Sequence, residues 1–379
     1  MSGTWKCRPR SPTCCKPSTS TSRSAIRAPR GASASPSLPV SDFGQAHMKK
    51  SIALASVVRA AAAMTLCALL IPTPIAGQES PGPSGAPALQ TMPVDPLIEA
   101  DWLMMHIADE DVIVIEAERR AGAFAAEHIP GARPLRFDDI AWEGEEGWIA
   151  EFREADEIAA ALRAAGVRRD SRVVIYGASM TMTARTWVTF DLLGLGDRAF
   201  VLNGGLEAWK AAGGEVAAGP PAEVAPGNVE PANRVDFRVS ADWINGRLGD
   251  ESLVLLDARP DDEYTGEDGG LGNGGRPGHI PGAAQLYWEE LMDPDNNTRF
   301  RPRAEIAHIL GRHGAGEGKT HVVYCMIGMR ASVDYMAARM MGLDVHFYDG
   351  SWRDWGDRLD LPVEMGPDPR DGSSDGPGP

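Results

Sequence analysis

Between Ala100 and Trp355 the sequence repeats itself in order, and this constrains the fold more than any other feature. Ala100-Asp101-Trp102 is followed by the apolar run Val112 to Ala117, and Ala241-Asp242-Trp243 by Leu253 to Ala258, with the same spacing from Trp to acid. His128-Ile129-Pro130-Gly131-Ala132 returns as His279-Ile280-Pro281-Gly282-Ala283. Val173 to Tyr176 matches Val322-Val323-Tyr324, and Asn203-Gly204-Gly205-Leu206-Glu207-Ala208-Trp209 matches Asp349-Gly350-Ser351-Trp352-Arg353-Asp354-Trp355. Such ordered matches make the protein a tandem duplication.

Each copy alternates short β-branched runs with amphipathic Ala/Leu-rich stretches at Glu154 to Ala165, Arg185 to Gly194 and Ala331 to Gly342. That alternation predicts an α/β domain, a small parallel sheet flanked by helices, in each copy. The expected boundaries are 93–217 and 234–365, with a Pro/Ala/Gly linker at 218–233 and a Gly-rich mobile insert from Glu267 to Pro277. Residues 366–379 read as a disordered tail.

The copies differ at one loop. Aligning Tyr176 with Tyr324 sets Gly177 where Cys325 stands, and Glu116-Ala117-Glu118 where Asp257-Ala258-Arg259 stands. Cys325 ends an apolar β-type run and precedes a helical pattern, a setting in which free backbone N–H groups and the helix dipole favour an anion and a thiolate. Arg330 adds a fixed cation. A buried, inert cysteine is the plainer alternative. In the first copy Ser179 and Thr181 are nearby hydroxyls with no activating base in sequence. One copy is therefore expected to be catalytic and the other a scaffold lending residues to a shared cleft.

Residues 1–47 carry seven Lys/Arg and one acid, Asp42, without apolar periodicity, and read as disordered or as an over-extended reading frame. Met48-Lys49-Lys50, the apolar run Ala60 to Ile71 and Pro74-Ile75-Ala76-Gly77 have the order of a secretory signal, 48–77, followed by a linker at 78–92. A periplasmic or secreted protein is expected; an uncleaved membrane anchor is the alternative. Beyond Gly77 the only cysteine is Cys325, so a reactive thiol is flagged and no internal disulfide can form. From Gln78 onward 27 Lys/Arg face 52 Asp/Glu, which disfavours nucleic acid and anionic membranes as partners. The scattered histidines and solitary cysteine assemble no metal site of usual ligand spacing, and no cofactor is expected.

These residues resemble the tandem-domain rhodanese family of sulfurtransferases, of the thiosulfate sulfurtransferase type. The markers are Asp257-Ala258-Arg259, Glu263-Tyr264, Gly278-His279-Ile280-Pro281-Gly282-Ala283, Tyr324-Cys325-x-x-Gly328-x-Arg330 and Asp349-Gly350-Ser351-Trp352, within residues 95 to 365. The resemblance implies two rhodanese-like domains, an inactive first and a catalytic second. It implies transfer of a sulfane sulfur from thiosulfate through a Cys325 persulfide to cyanide or a thiol. The backbone N–H groups of Met326, Ile327, Gly328, Met329 and Arg330 would hold the persulfide, Arg330 would bind the donor's oxygens, and Arg185 resembles the arginine that the inactive domain offers to the cleft. Asp257 and Arg259 are expected to form a supporting ion pair. His128 and His279 are expected to be structural. Trp102, Trp209, Trp243 and Trp355 read as core, and Trp352 as core or cleft lining.

Other readings compete. 3-Mercaptopyruvate is the rival donor, although the bulky loop ending in a cation suits a dianion better. A cysteine phosphatase would need five residues between Cys and Arg, and four separate Cys325 from Arg330. The non-enzyme reading is a sulfur carrier that loads once per cysteine. The expected partners are small-molecule sulfur donors and acceptors, and the expected state is a monomer.

Overall fold

The computed structural model describes residues 95–118, 122–142, 150–231, 234, 236–268, 275–368 and 370. The readings made for 1–47, 48–77 and 78–92, for the centre of the insert at 269–274 and for the tail from 371 lie outside the described residues.

Each β-branched run becomes a strand. The first repeat builds a five-stranded sheet in the order Leu97–Ile98, Ala199–Leu202, Arg172–Gly177, Val112–Glu118, Arg133–Arg136. The second builds a four-stranded sheet in the order Asp344–Phe347, Thr320–Tyr324, Leu253–Asp257, Ala284–Gln285. All these pairings are parallel. The order is the same but for the short outer strand of the first sheet. In its place an isolated parallel bridge joins Arg238 to Phe347. The central strands are buried almost throughout, which is why their sequences run apolar without alternation. Register is shared as well: Tyr176 lies opposite Glu116, and Tyr324 opposite Asp257.

The helices fall close to where periodicity placed them, at Ala155–Ala164, Met180–Leu192 and Ala331–Met340. The second begins earlier than expected. Its opening Met-Thr-Met-Thr run is poor in helix propensity, but Thr183 and Thr186 bond back to the carbonyls of Ser179 (2.9 Å) and Met182 (3.0 Å). Nearly the whole helix is buried, and tertiary burial overrides weak local preference.

The duplication extends to single hydrogen bonds. His128 Nδ1 lies 2.8 Å from the Phe124 carbonyl with its ring stacked on Phe124, and His279 Nδ1 lies 2.8 Å from the Tyr264 carbonyl with its ring stacked on Tyr264. Both histidines are therefore turn-fixing residues, as their presence in both copies suggested. Trp209 and Trp355 are core, each indole N–H donating to a carbonyl, of Glu215 (2.7 Å) and Pro362 (2.8 Å). Trp102 and Trp243 correct the expectation of core: both are half-buried, flanking His106 and His346, under the guanidinium groups of Arg172 and Arg247. Each packs against the edge of the core, and a cationic side chain covers part of the indole left outside it.

The repeats meet through helices Met180–Leu192 and Ala331–Met340. Where two copies pack about a pseudo-two-fold axis, equivalent positions face each other, and a shared charge would oppose itself. Asp191 and Arg339 occupy equivalent positions under the Tyr176–Tyr324 alignment. Arg339 donates to Asp191 through Nε (3.1 Å) and Nη2 (3.3 Å). Tyr335 Oη (2.7 Å) and Arg234, at the start of the second repeat, also donate to this carboxylate. A second exchange is reciprocal: Asn203 Oδ1 accepts the Phe300 N–H (3.0 Å), and its counterpart Asp349 accepts the Phe152 N–H through Oδ2 (3.0 Å). Asp191→Ala leaves Arg339 buried and facing Arg234 without a counter-ion. The expected cost is about 3–5 kcal/mol, measured as the drop in denaturant midpoint at constant slope.

Candidate active site

Cys325 follows directly on strand Thr320–Tyr324 and is fully buried. Its Sγ accepts the Gly328 N–H at 3.1 Å. Gly328 has φ +85°, and only this left-handed turn carries the loop back over the sulfur. The peptide groups of Cys325 are both held by the segment after the last strand: Ser351 Oγ accepts the Cys325 N–H (3.3 Å), and the Trp352 N–H donates to the Cys325 carbonyl (2.8 Å). The Arg353 N–H donates to the Met326 carbonyl at 3.1 Å, so carbonyls turn outward.

Arg185 reaches this loop from the other repeat, as the family position implied. It is fully buried, with Nη2 donating to Asp349 Oδ1 (3.2 Å) and to the Ala150 carbonyl, and its guanidinium carbon 3.2 Å from the centroid of Phe152. Its Nε and Nη1 have no hydrogen-bond partner. A Cβ built on Gly328 would come within 3.1 Å of Nη1, so the open edge of the cation borders the loop. Burial lowers the Arg185 pKa, against the pull of Asp349 and Cys325, but an arginine stays protonated.

Arg330 is placed differently from what its sequence position suggested. Nη1 and Nη2 donate to the two carboxylate oxygens of Glu263 at 2.8 and 2.7 Å, a closed fork. Burial works against its charge, but the Glu263 bonds and the nearby Cys325 outweigh it and raise its pKa. Asp257 and Arg259 form the expected pair, fully buried and joined by Nη2 to Oδ2 at 2.7 Å, with the guanidinium 4.6 Å from the Trp352 ring centroid. Trp352 is thus buried under a cation and donates its indole N–H to the Arg276 carbonyl (3.0 Å).

Periodicity gave no hint of Asp334. It lies in the first turn of helix Ala331–Met340, fully buried, with neither carboxylate oxygen hydrogen-bonded. Burial raises its pKa well above the carboxylate range, helped by the charges of Cys325, Asp257 and Glu290, with Arg330 opposing. A carboxyl whose folded pKa is raised costs nothing below its unfolded value, near 3.9, and costs progressively more as pH rises toward the folded value. Asp334→Asn is therefore expected to melt with the wild type at pH 4 and about 3 °C or more above it at pH 8. Equal melting temperatures at both pH values would count against a neutral Asp334.

The first repeat shows the same site closed. A Cβ on Gly177 would lie 2.8 Å from the Ala117 carbonyl oxygen and 2.9 Å from Thr183 Oγ1, so no side chain fits where Cys325 stands. Ser179 and Thr181 bond to each other (2.8 Å). Glu118, in the place of Arg259, accepts the Phe124 N–H at 3.3 Å, beside Glu116, which accepts from Tyr176 Oη at 2.6 Å. Two acids stand there in place of an acid–arginine pair, so the cation of the second repeat is missing from the first.

A pair of parallel-sheet α/β domains, one with a cysteine loop and one with glycine at the matching place, joined so that an arginine of the latter borders the cysteine loop of the former, defines a two-domain cysteine-loop protein. The rhodanese-like domain matches residues 99–212 and 240–358, and the chain belongs to that family. It is 31% identical over 287 residues to the putative thiosulfate sulfurtransferase SseA of Mycobacterium tuberculosis, covering 72% of this chain and 92% of the relative. It is 27% identical to the sulfur carrier protein TtuD of Thermus thermophilus, over 71% and 96% of the two chains. The crystal structure of SseA from Escherichia coli, described for 3-mercaptopyruvate sulfotransferases, superposes with a TM-score of 0.59 at 25% identity, over 68% of this chain and 99% of that one. These relatives support a sulfurtransferase of the rhodanese type.

Proposed function

We propose that the protein moves a sulfane sulfur from thiosulfate to a thiophilic acceptor, such as cyanide or a thiol, through a persulfide on Cys325. The observation that carries this reading is the cysteine sulfur held by the Gly328 N–H inside a loop bordered by the partner-free edge of Arg185. In the first step the Cys325 thiolate attacks the outer sulfur of thiosulfate, the S–S bond breaks and sulfite leaves with the electron pair. The N–H groups of Met326 to Arg330 hold the persulfide and its charge. In the second step the acceptor takes the outer sulfur and the Cys325 thiolate returns.

Arg185 is the principal receptor for the donor's anionic group, because its Nε and Nη1 are already desolvated and face no competing carboxylate oxygen. Arg330 contributes charge at the loop's end, and its fork opens to the donor only if Glu263 moves. That closed fork favours a second reading, 3-mercaptopyruvate, whose single carboxylate needs one receptor. Asp257 and Arg259 support the loop from below. As a chain led by an export signal, 48–77, the protein would work in the periplasm or outside the cell.

The test is thiocyanate formation from cyanide with thiosulfate or 3-mercaptopyruvate as donor, with Cys325→Ser as control. Faster turnover with thiosulfate, absent from the variant, is the expected result. Uptake of one sulfur per Cys325 with no turnover would turn the reading to a carrier.

A further inference from the structure

Ser351 stands in a backbone conformation that suits it poorly. Its φ is +54°, and among the described residues only Ala150 shares a left-handed backbone without being glycine. For an L-residue this region brings Cβ against the neighbouring carbonyl, and a glycine would hold it without that steric cost. The duplication supplies the control. The equivalent residue in the first repeat is Gly205, at φ +58° and likewise at the start of the helix after the last strand. The same turn is glycine where there is no cysteine and serine where there is one.

The hydroxyl explains the difference. Ser351 Oγ donates to the Tyr348 carbonyl (3.0 Å) and accepts the Cys325 N–H (3.3 Å). With the Trp352 N–H on the Cys325 carbonyl, both peptide groups of the nucleophile are held by two consecutive residues. Ser351 is fully buried, so no water replaces its hydroxyl when it is removed. Strained residues that persist at a functional site do so because the surroundings over-determine them.

We infer that Ser351 is a positioning residue for Cys325: its hydroxyl fixes the peptide of the nucleophile and thereby the aim of the sulfur at the Gly328 N–H, and the left-handed serine is retained for that purpose. The inference rests on the sulfurtransferase reading for its effect on turnover, and not for its effect on the loop.

The experiment compares Ser351→Gly and Ser351→Ala with the wild type. Ser351→Gly carries the residue the first repeat already uses at this turn, so it folds. It is expected to turn over donor about tenfold more slowly with KM within about twofold, since displaced reacting groups lose rate rather than binding. In hydrogen exchange, the peptide spanning Cys325 to Arg330 is expected to exchange about tenfold faster, with Thr320 to Val323 unchanged. Ser351→Gly is also expected to melt above Ser351→Ala, because only glycine relieves the backbone. Wild-type loop exchange in Ser351→Gly overturns the inference, as does a Ser351→Gly that melts no higher than Ser351→Ala. A wild type that turns over no donor removes the sulfurtransferase reading, and the exchange and melting results then decide Ser351 alone.

Discussion

Cys325→Ser is expected to lower thiocyanate formation by about a thousandfold or more while leaving the fold intact. The serine hydroxyl matches the thiol in shape, and its oxygen can still accept the Gly328 N–H, so the loop keeps its form. What is lost is chemistry. A hydroxyl is scarcely ionised at neutral pH without a general base, and no histidine or carboxylate among the hydrogen-bond partners of Cys325 supplies one. The check has two parts: steady-state rates with both donors, and the mass of the protein after donor treatment, which should rise by one sulfur in the wild type and not in the variant. Multiple turnovers by Cys325→Ser would remove Cys325 from the mechanism.

Arg185→Ala is expected to lower kcat/KM for thiosulfate about a hundredfold, the scale on which loss of one preorganised donor to a developing anion is felt. The change should not unfold the protein, because Asp349 keeps the Phe152 N–H (3.0 Å) and has Arg238 at 3.7 Å. Arg185→Lys is expected to recover little, since an ammonium cannot lie flat on Phe152 and present two donors to the loop at once. Steady-state kinetics beside a thermal melt make the comparison. A loss below about fivefold in Arg185→Ala would mean that the donor binds at Arg330, with Glu263 displaced.

The site as a whole contains three arginine–carboxylate pairs, Arg185 with Asp349, Arg259 with Asp257 and Arg330 with Glu263. They are not equivalent. The fork of Arg330 is closed, and Arg259 is bound through Nε and Nη2 to Asp257 and through Nη2 to the Gly278 carbonyl (2.8 Å), which leaves only its Nη1 without a partner. The Arg185–Asp349 pair is the one formed across the two repeats, and its arginine keeps two unpartnered donors. The receptor proposed for the anion is in this way tied to the packing of the domains, which Asp191 and Arg339 help to hold.

Much of this was legible in the chain. The duplication gave the two parallel sheets flanked by helices, because each repeat encodes its own strand–helix alternation locally. The alignment of Tyr176 with Tyr324 set Cys325 against Gly177, and the strand register bears that alignment out. His128 and His279 were readable as structural because a residue kept in the closed site cannot be there for catalysis. Asp257 and Arg259 were readable as a pair because two residues' separation at a strand end lets their side chains meet.

Tertiary structure decided the rest, and the reason is physical. A hydrogen bond between Arg330 and Glu263, or between Arg185 and Asp349, joins segments far apart in the chain, and no local spacing records it. Burial is likewise a property of the assembled core: Asp334 reads as an ordinary acid in a helix's first turn until both of its oxygens are found without partners. The sign of φ at Ser351 is set by the turn it closes, and only the repeat with glycine at the same place shows what the serine is there to do. The sequence by itself determined the two domains and the loop cysteine that the second carries and the first lacks, since these depend on order and residue type along the chain. Which arginine beside the loop keeps two nitrogens without partners was decided only when the two copies packed together, since that depends on which carboxylates the fold brings within reach.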